Sequence, residues 1–163
     1  MKLPIYHIST TQNGEYQVEL NSAITMPNAV TYLWNELMMT TINCRGYVNS
    51  TFMQPEPSKY AFAQNMEAQT FIQPELNYYA GHPGRFFYIK ESNKPLFSLP
   101  FAPINQEYSS FKFVACNNKV YWLITHHGLA FKLTLRLAEA KPEEHWRLDI
   151  TNHSNEYREL DIY

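Results

Sequence analysis

Glycine is scarce, with five in 163 residues. They are too few and too scattered to build a GxGxxG or Walker-type phosphate loop, so nucleotide binding by either device is excluded. Cysteine is scarcer still: Cys44 and Cys116 lie far apart without CxxC spacing, a pattern of buried reduced thiols rather than of a disulfide framework. There is no basic run, and 13 Lys and Arg against 15 Asp and Glu leave a formal charge of −2. The electrostatic footprint of a nucleic-acid binder is missing, and neutral partners fit better. No stretch of about 18 uncharged apolar residues occurs, so no membrane partner is expected. The opening Met1-Lys2-Leu3-Pro4-Ile5-Tyr6-His7 has no continuous apolar segment of the signal-peptide kind, and a soluble, cytoplasmic protein is expected. In that setting the sequons at Asn49 and Asn152 are chance matches.

What the chain does have is aromatic rings: 12 Tyr, 10 Phe and 3 Trp, with Thr, Val and Ile dispersed among them. That composition favours strands over helices, and the alternation of side chains agrees. Leu129, Phe131, Leu133, Leu135 and Leu137 point one way while Ala130, Lys132, Thr134 and Arg136 point the other. Trp146, Leu148 and Ile150 repeat the pattern, and Leu160 and Ile162 begin it again after the turn-forming Asn152-His153-Ser154-Asn155. The last run stops at the chain end, which suggests a piece of a larger sheet. Tyr16, Val18 and Leu20 alternate after Asn13-Gly14, and residues 38–52 form extended chain bent at Gly46. Between them, Ala29 to Leu37 predicts a helical turn leading into a strand. Residues 53–75, broken by Pro55, Pro57 and Pro74, read as a long irregular loop. The expected fold is all-β, an antiparallel β-sandwich, with residues 1–163 as one domain; a chain of this length buries roughly 70% of its unfolded surface without a metal or disulfide.

Candidate chemistry is sparse. His126-His127 sits at a hairpin tip, and neighbours on an extended chain face opposite ways, so the two cannot easily share a metal. The other histidines lack HExxH spacing, and no metal site or cofactor is expected. Cys44 beside Arg45 could be an activated thiol, but the sequence places no base next to it, and a structural role is favoured. Glycoside chemistry needs two carboxyl groups, or one with phosphate as nucleophile; Asp149 and Asp161 are the only aspartates, both at outward positions, and Glu143-Glu144 reads as a charged tip after Pro142. No catalytic residue is assigned. The surplus of rings and amides is the remaining signal: Tyr78, Tyr79, His82 and Arg85 cluster around one turn, and Tyr47 and Asn49 flank another. Flat rings beside amide donors suit sugar binding, although aromatic residues in sandwiches are mostly core.

Taken in order, Pro27 to Leu37 with Trp34-Asn35, the Gly46-Tyr47 bend, Gly84-Arg85-Phe86-Phe87-Tyr88-Ile89-Lys90-Glu91, Leu96 to Pro103 and Leu148 to Leu160 resemble the N-terminal domain of inverting glycoside phosphorylases, the cellobiose phosphorylase-like glycosyltransferases. The resemblance implies a mutarotase-like supersandwich, present here in part, that precedes an (α/α)6 barrel carrying the catalytic aspartate and the phosphate site. No position in this chain corresponds to the barrel motifs. What the resemblance implies for this chain is a non-catalytic role at the dimer interface and the substrate entrance. Its partners would be an oligosaccharide or disaccharide, inorganic phosphate bound by the barrel, and a second copy through self-association. The alternatives are a free-standing carbohydrate-binding sandwich and a structural interaction domain.

Overall fold

The computed structural model describes residues 6–52 and 84–163, and within them the chain is all-β. Twelve strands follow in order: β1 Tyr6–Thr10, β2 Tyr16–Leu20, β3 Val30–Trp34, β4 Met38–Asn43, β5 Val48–Phe52, β6 Phe87–Glu91, β7 Phe97–Leu99, β8 Ser110–Cys116, β9 Val120–His126, β10 Leu129–Leu137, β11 Glu144–Asn152 and β12 Leu160–Ile162. They form a six-stranded sheet, β1-β2-β8-β9-β10-β11, and two three-stranded sheets, β12-β6-β7 and β3-β4-β5. Every pairing between strands is antiparallel.

The dry side of the large sheet is the one the alternation announces. Leu129, Phe131, Leu133 and Leu135 are buried, with Lys132 and Arg136 exposed between them. Leu20, Phe113, Trp122 and Ile124 extend this apolar layer along the sheet, and it packs against Leu33, Ile42 and Val48 of one small sheet and Ile89, Phe97 and Leu99 of the other. A sandwich results because each sheet has one apolar face to remove from water, worth about 25 cal/mol per Å² of apolar area buried. The Trp122 indole N–H would be costly in that layer without an acceptor, and it donates to the Cys44 carbonyl at 2.7 Å.

The hairpins follow from their turn residues. His127 (φ 50) and Gly128 (φ 78) make the two-residue connection between β9 and β10, a primed turn whose twist matches the strands. Between β4 and β5 the chain reverses at Gly46 (φ 101), with the Gly46 N–H donating to the Asn43 carbonyl. Pro100, Phe86 and the carbonyl of Gly46 crowd this corner, which leaves room for glycine alone at 46 and 84.

Two sequence expectations differ from the fold. The helical turn expected within Ala29–Leu37 is absent: a hydrogen-bonded turn closing with Ala29 N–H on the Met26 carbonyl feeds straight into β3. The β-branched and aromatic residues there favour the pleated chain, and apolar spacing alone could not decide. The last apolar run, whose alternation predicts that Ile162 shares the apolar face of Leu133, Leu135, Leu148 and Ile150, lies elsewhere. Leu160–Ile162 pairs with β6 rather than extending the sheet of β10 and β11, and Ile162 is exposed rather than sharing the face of Leu133 and Leu135. The long loop expected over residues 53–75 lies outside the described residues.

Candidate functional site

β3 is an edge strand whose alternation sends Leu33 into the core and Val30, Tyr32 and Trp34 outward. Tyr32 is 48% exposed and Trp34 68%, an unusual display of ring surface. Two residues apart on one strand, the two side chains stand about 7 Å from each other, near the scale of a sugar ring. Behind them the same face carries Thr41 opposite Tyr32 and Asn49 opposite Thr41. An open groove of about 460 Å³ runs beside this row, lined by Pro27, Val30, Thr41, Asn43, Tyr47 and Asn49.

The donors in the groove differ in availability. Asn43 is committed: its side-chain N–H donates to the Pro27 carbonyl at 2.9 Å and its oxygen accepts from the Arg45 N–H at 2.8 Å. The Asn49 side-chain amide and the Thr41 hydroxyl have no hydrogen-bond partner among the described residues and line the open groove. Tyr47 is held edge-on against Phe86, ring centroids 5.6 Å apart. Rings beside uncommitted hydroxyl and amide groups can cover the apolar face of a sugar and bond its hydroxyls. Among the described residues the groove lining contains no carboxyl group, so these residues can bind a sugar but offer no carboxyl acid or base.

Of the sequence-predicted residues, Tyr47 and Asn49 therefore come together in this groove, whereas Arg85 does not join them. Its guanidinium reaches Glu144 at 2.9 Å. Glu144 also accepts from the Ser50 hydroxyl at 2.6 Å and from the Trp146 indole at 2.8 Å. Burial pushes the Glu144 carboxyl upward, but the bonds from Ser50, Trp146 and Arg85 outweigh it and hold the group below the ordinary range. This is a polar rivet joining β5, β11 and the segment before β6. The pair Glu143-Glu144 is thus only half a charged tip: the Glu143 side chain is 52% exposed and that of Glu144 12%. Tyr78, Tyr79 and His82 lie outside the described residues. Tyr32 and Trp34 were missed by sequence reasoning, although their period-two spacing on an exposed strand was the available signal.

Elsewhere the reactive groups are quiet. Burial raises the Cys44 thiol to about 11 despite the Arg45 charge, and its S–H points at the Met26 carbonyl, so it is no nucleophile. The rings of His126 and His127 lie 3.9 Å apart, closer than an extended chain would put them, because His127 is left-handed. Burial holds His126 below its usual range. Among the described residues no three His, Cys, Asp or Glu side chains gather as a metal site. Also among them, no helix is long and apolar enough to cross a membrane.

Comparison with known proteins places these residues in context. The profile of the glycosyl hydrolase 94 supersandwich domain matches residues 50–163, which takes in Arg85 and Glu144 and stops one residue short of Asn49. A cellobionic acid phosphorylase of Neurospora crassa is 44% identical over 156 residues, covering 95% of this chain and 20% of that protein. The chain thus spans about a fifth of the length of this relative.

Proposed function

Because the chain belongs to the glycosyl hydrolase 94 family, through its supersandwich domain, we propose that residues 1–163 act as one non-catalytic domain. This domain forms the N-terminal portion of a phosphorylase-like carbohydrate-active enzyme. The relative's phosphorolytic name supports a parent that takes a disaccharide or oligosaccharide together with inorganic phosphate. Acid catalysis and phosphate binding would belong to a catalytic domain outside these residues, working in the cytoplasm. The domain's own share is to shape the substrate entrance and to supply part of a dimer interface.

The observation that carries this reading is the Tyr47–Asn49 groove beside Tyr32 and Trp34: exposed rings, the uncommitted Asn49 amide and Thr41 hydroxyl, and no carboxyl group among the described residues. The experiment is a calorimetric titration of the 163-residue chain with cello-oligosaccharides, alongside an assay for sugar phosphate released from cellobiose in phosphate buffer. Weak saturable binding, lost in Trp34→Ala and weakened in Asn49→Ala, with no sugar phosphate formed, is the expected result. Turnover that disappears on replacing Asp149 or Glu143 overturns the non-catalytic assignment, and binding indifferent to Trp34→Ala overturns the site.

A further inference from the structure

The ring row on β3 reaches past the groove it borders. Val30, Thr41 and Asn49 line the groove, whereas Tyr32 and Trp34 stand outside its lining. Val30, Tyr32 and Trp34 face outward in one line, so Trp34 lies about 13 Å from Val30 along the strand. A disaccharide seated in the groove would leave the Trp34 indole unused.

That indole stands on fixed backbone. The next residue, Asn35, donates both side-chain N–H groups, to the Ala138 carbonyl at 2.7 Å and the Lys141 carbonyl at 2.9 Å. Its side-chain oxygen accepts from the Leu37 and Met38 N–H groups, each at 2.8 Å, and its own backbone N–H donates to the Met38 carbonyl at 3.0 Å. The turn between β3 and β4 is thereby tied to the chain between β10 and β11, 103 and 106 positions away. A ring carried on ordered backbone loses little freedom on contact, which favours its use as an anchor.

The row is also uncharged. Across the sheet Val30 stands opposite Asn43, Tyr32 opposite Thr41 and Trp34 opposite Met39. Among the described residues Arg45 is the one charged side chain in the groove lining, and it is occupied elsewhere: its Nε donates to the Ala23 carbonyl at 2.9 Å and its guanidinium lies 5.4 Å from the Phe101 ring centroid. Two aromatic side chains offer at most about 500 Å², short of the ~800 Å² that each partner of a standard protein interface covers. A narrow, neutral, extended ligand fits the row better than a second protein.

We infer that this face holds the interior of an extended neutral glucan chain, about three to four rings long, rather than the disaccharide a phosphorolytic parent would cleave. The inference rests on the reading of this face as a sugar site. The groove takes the rings that bond Thr41 and Asn49, and Tyr32 and Trp34 cover those that follow. β3 is the edge of its sheet, so the chain can run on past Trp34 without meeting another strand of that sheet.

The test titrates the 163-residue chain calorimetrically with cellobiose, cellotetraose, cellohexaose and cellohexaose reduced to its alditol. Cellotetraose is expected to bind about tenfold more tightly than cellobiose, on the scale of one added aromatic contact. Cellohexaose and its alditol should match each other, because no terminal ring is read. Raising NaCl to ~1 M, where the screening length is about 3 Å, should leave these affinities unchanged. Trp34→Ala should abolish the gain with length and Trp34→Tyr keep part of it; the ring is 68% exposed, so both variants should retain the wild-type melting temperature. Equal affinity for cellobiose and cellotetraose overturns the inference and leaves the sugar site standing, as does a preference for the unreduced hexaose. Absence of binding at every length overturns the inference together with the sugar reading beneath it.

Discussion

The Arg158 guanidinium lies against the Glu91 carboxylate, pairing two residues 67 positions apart, with side chains only 7% and 11% exposed. The same guanidinium donates to the His127 carbonyl at 2.9 Å, and Lys94 reaches Glu91 at 3.0 Å. One side chain thereby fastens the segment before β12 to β6 and to the tip of the β9–β10 hairpin. Removing Glu91 leaves the mostly buried Arg158 charge without a carboxylate partner, which costs more than the pair is worth when intact, whereas removing Arg158 leaves Glu91 with Lys94 alone.

This pairing predicts an acid-sensitive stability. Hydrogen bonds from Arg158 outweigh burial and hold the Glu91 carboxyl at about 2, against an ordinary value of 4.5. A carboxyl depressed by folding contributes stability that is full above its unfolded value and is lost as pH falls through the folded one. Urea melts should therefore lose stability from pH 4.5 down to about 2. In Glu91→Gln the melts should show a lower midpoint at neutral pH and a shallower decline across that window. A decline of unchanged slope in the variant would assign the acid sensitivity to other carboxyl groups.

Glycine substitutions should separate two kinds of cost. At Gly46 (φ +101) a Cβ would lie 2.5 Å from the Pro100 ring, and at Gly84 it would lie 2.2 Å from the Phe86 ring. At Gly14 (φ +79) it meets nothing within 4 Å. Gly14→Ala should cost only the left-handed strain of about 1–2 kcal/mol, read as a modest fall in melting temperature. Gly46→Ala should exceed that, because the proline ring has to move as well. Equal melting temperatures for the two variants would show that the Gly46 corner yields easily.

The β12 edge should mediate self-association. Leu160–Ile162 pairs with β6 on one side only, and Tyr157 is 90%, Ile162 48% and Tyr163 72% exposed. An uncovered edge with apolar neighbours recruits another strand. Sedimentation velocity at rising concentration should show a dimer, reduced in Ile162→Lys, which places a charge beside the edge. A monomer at every concentration removes this edge as the interface.

Much of the fold was legible because a strand writes its two faces into adjacent residues. Leu129 to Leu137 declares a dry side and a wet side with no knowledge of its neighbours, and the hairpin at His127-Gly128 is announced by its turn residues. What remained hidden depended on which strands meet. Glu144 looked like half of a charged tip because nothing local reveals Ser50, 94 positions away, or Arg85. Leu160 and Ile162 showed their alternation but not their partner. Tyr47 and Asn49 were proposed from chemistry at a bend and do line one groove, whereas the outward row of Tyr32 and Trp34 was obscured by a helical reading of the run that holds Trp34.

The order of strands in the large sheet also sets an order in time. Strands β8 to β11 are sequence neighbours joined in series, but the β1–β2 hairpin joins them only through β2 against β8, with Leu20 opposite Phe113. During synthesis at about 5–20 residues per second, the stretch from Leu20 to Phe113 takes roughly 5–20 s to appear. For that interval the first hairpin has no sheet to join, and Tyr6, Ile8, Tyr16 and Val18 remain exposed even in the finished molecule. The first hairpin must therefore wait for β8 before it can dock, and in that interval it is open to a chaperone.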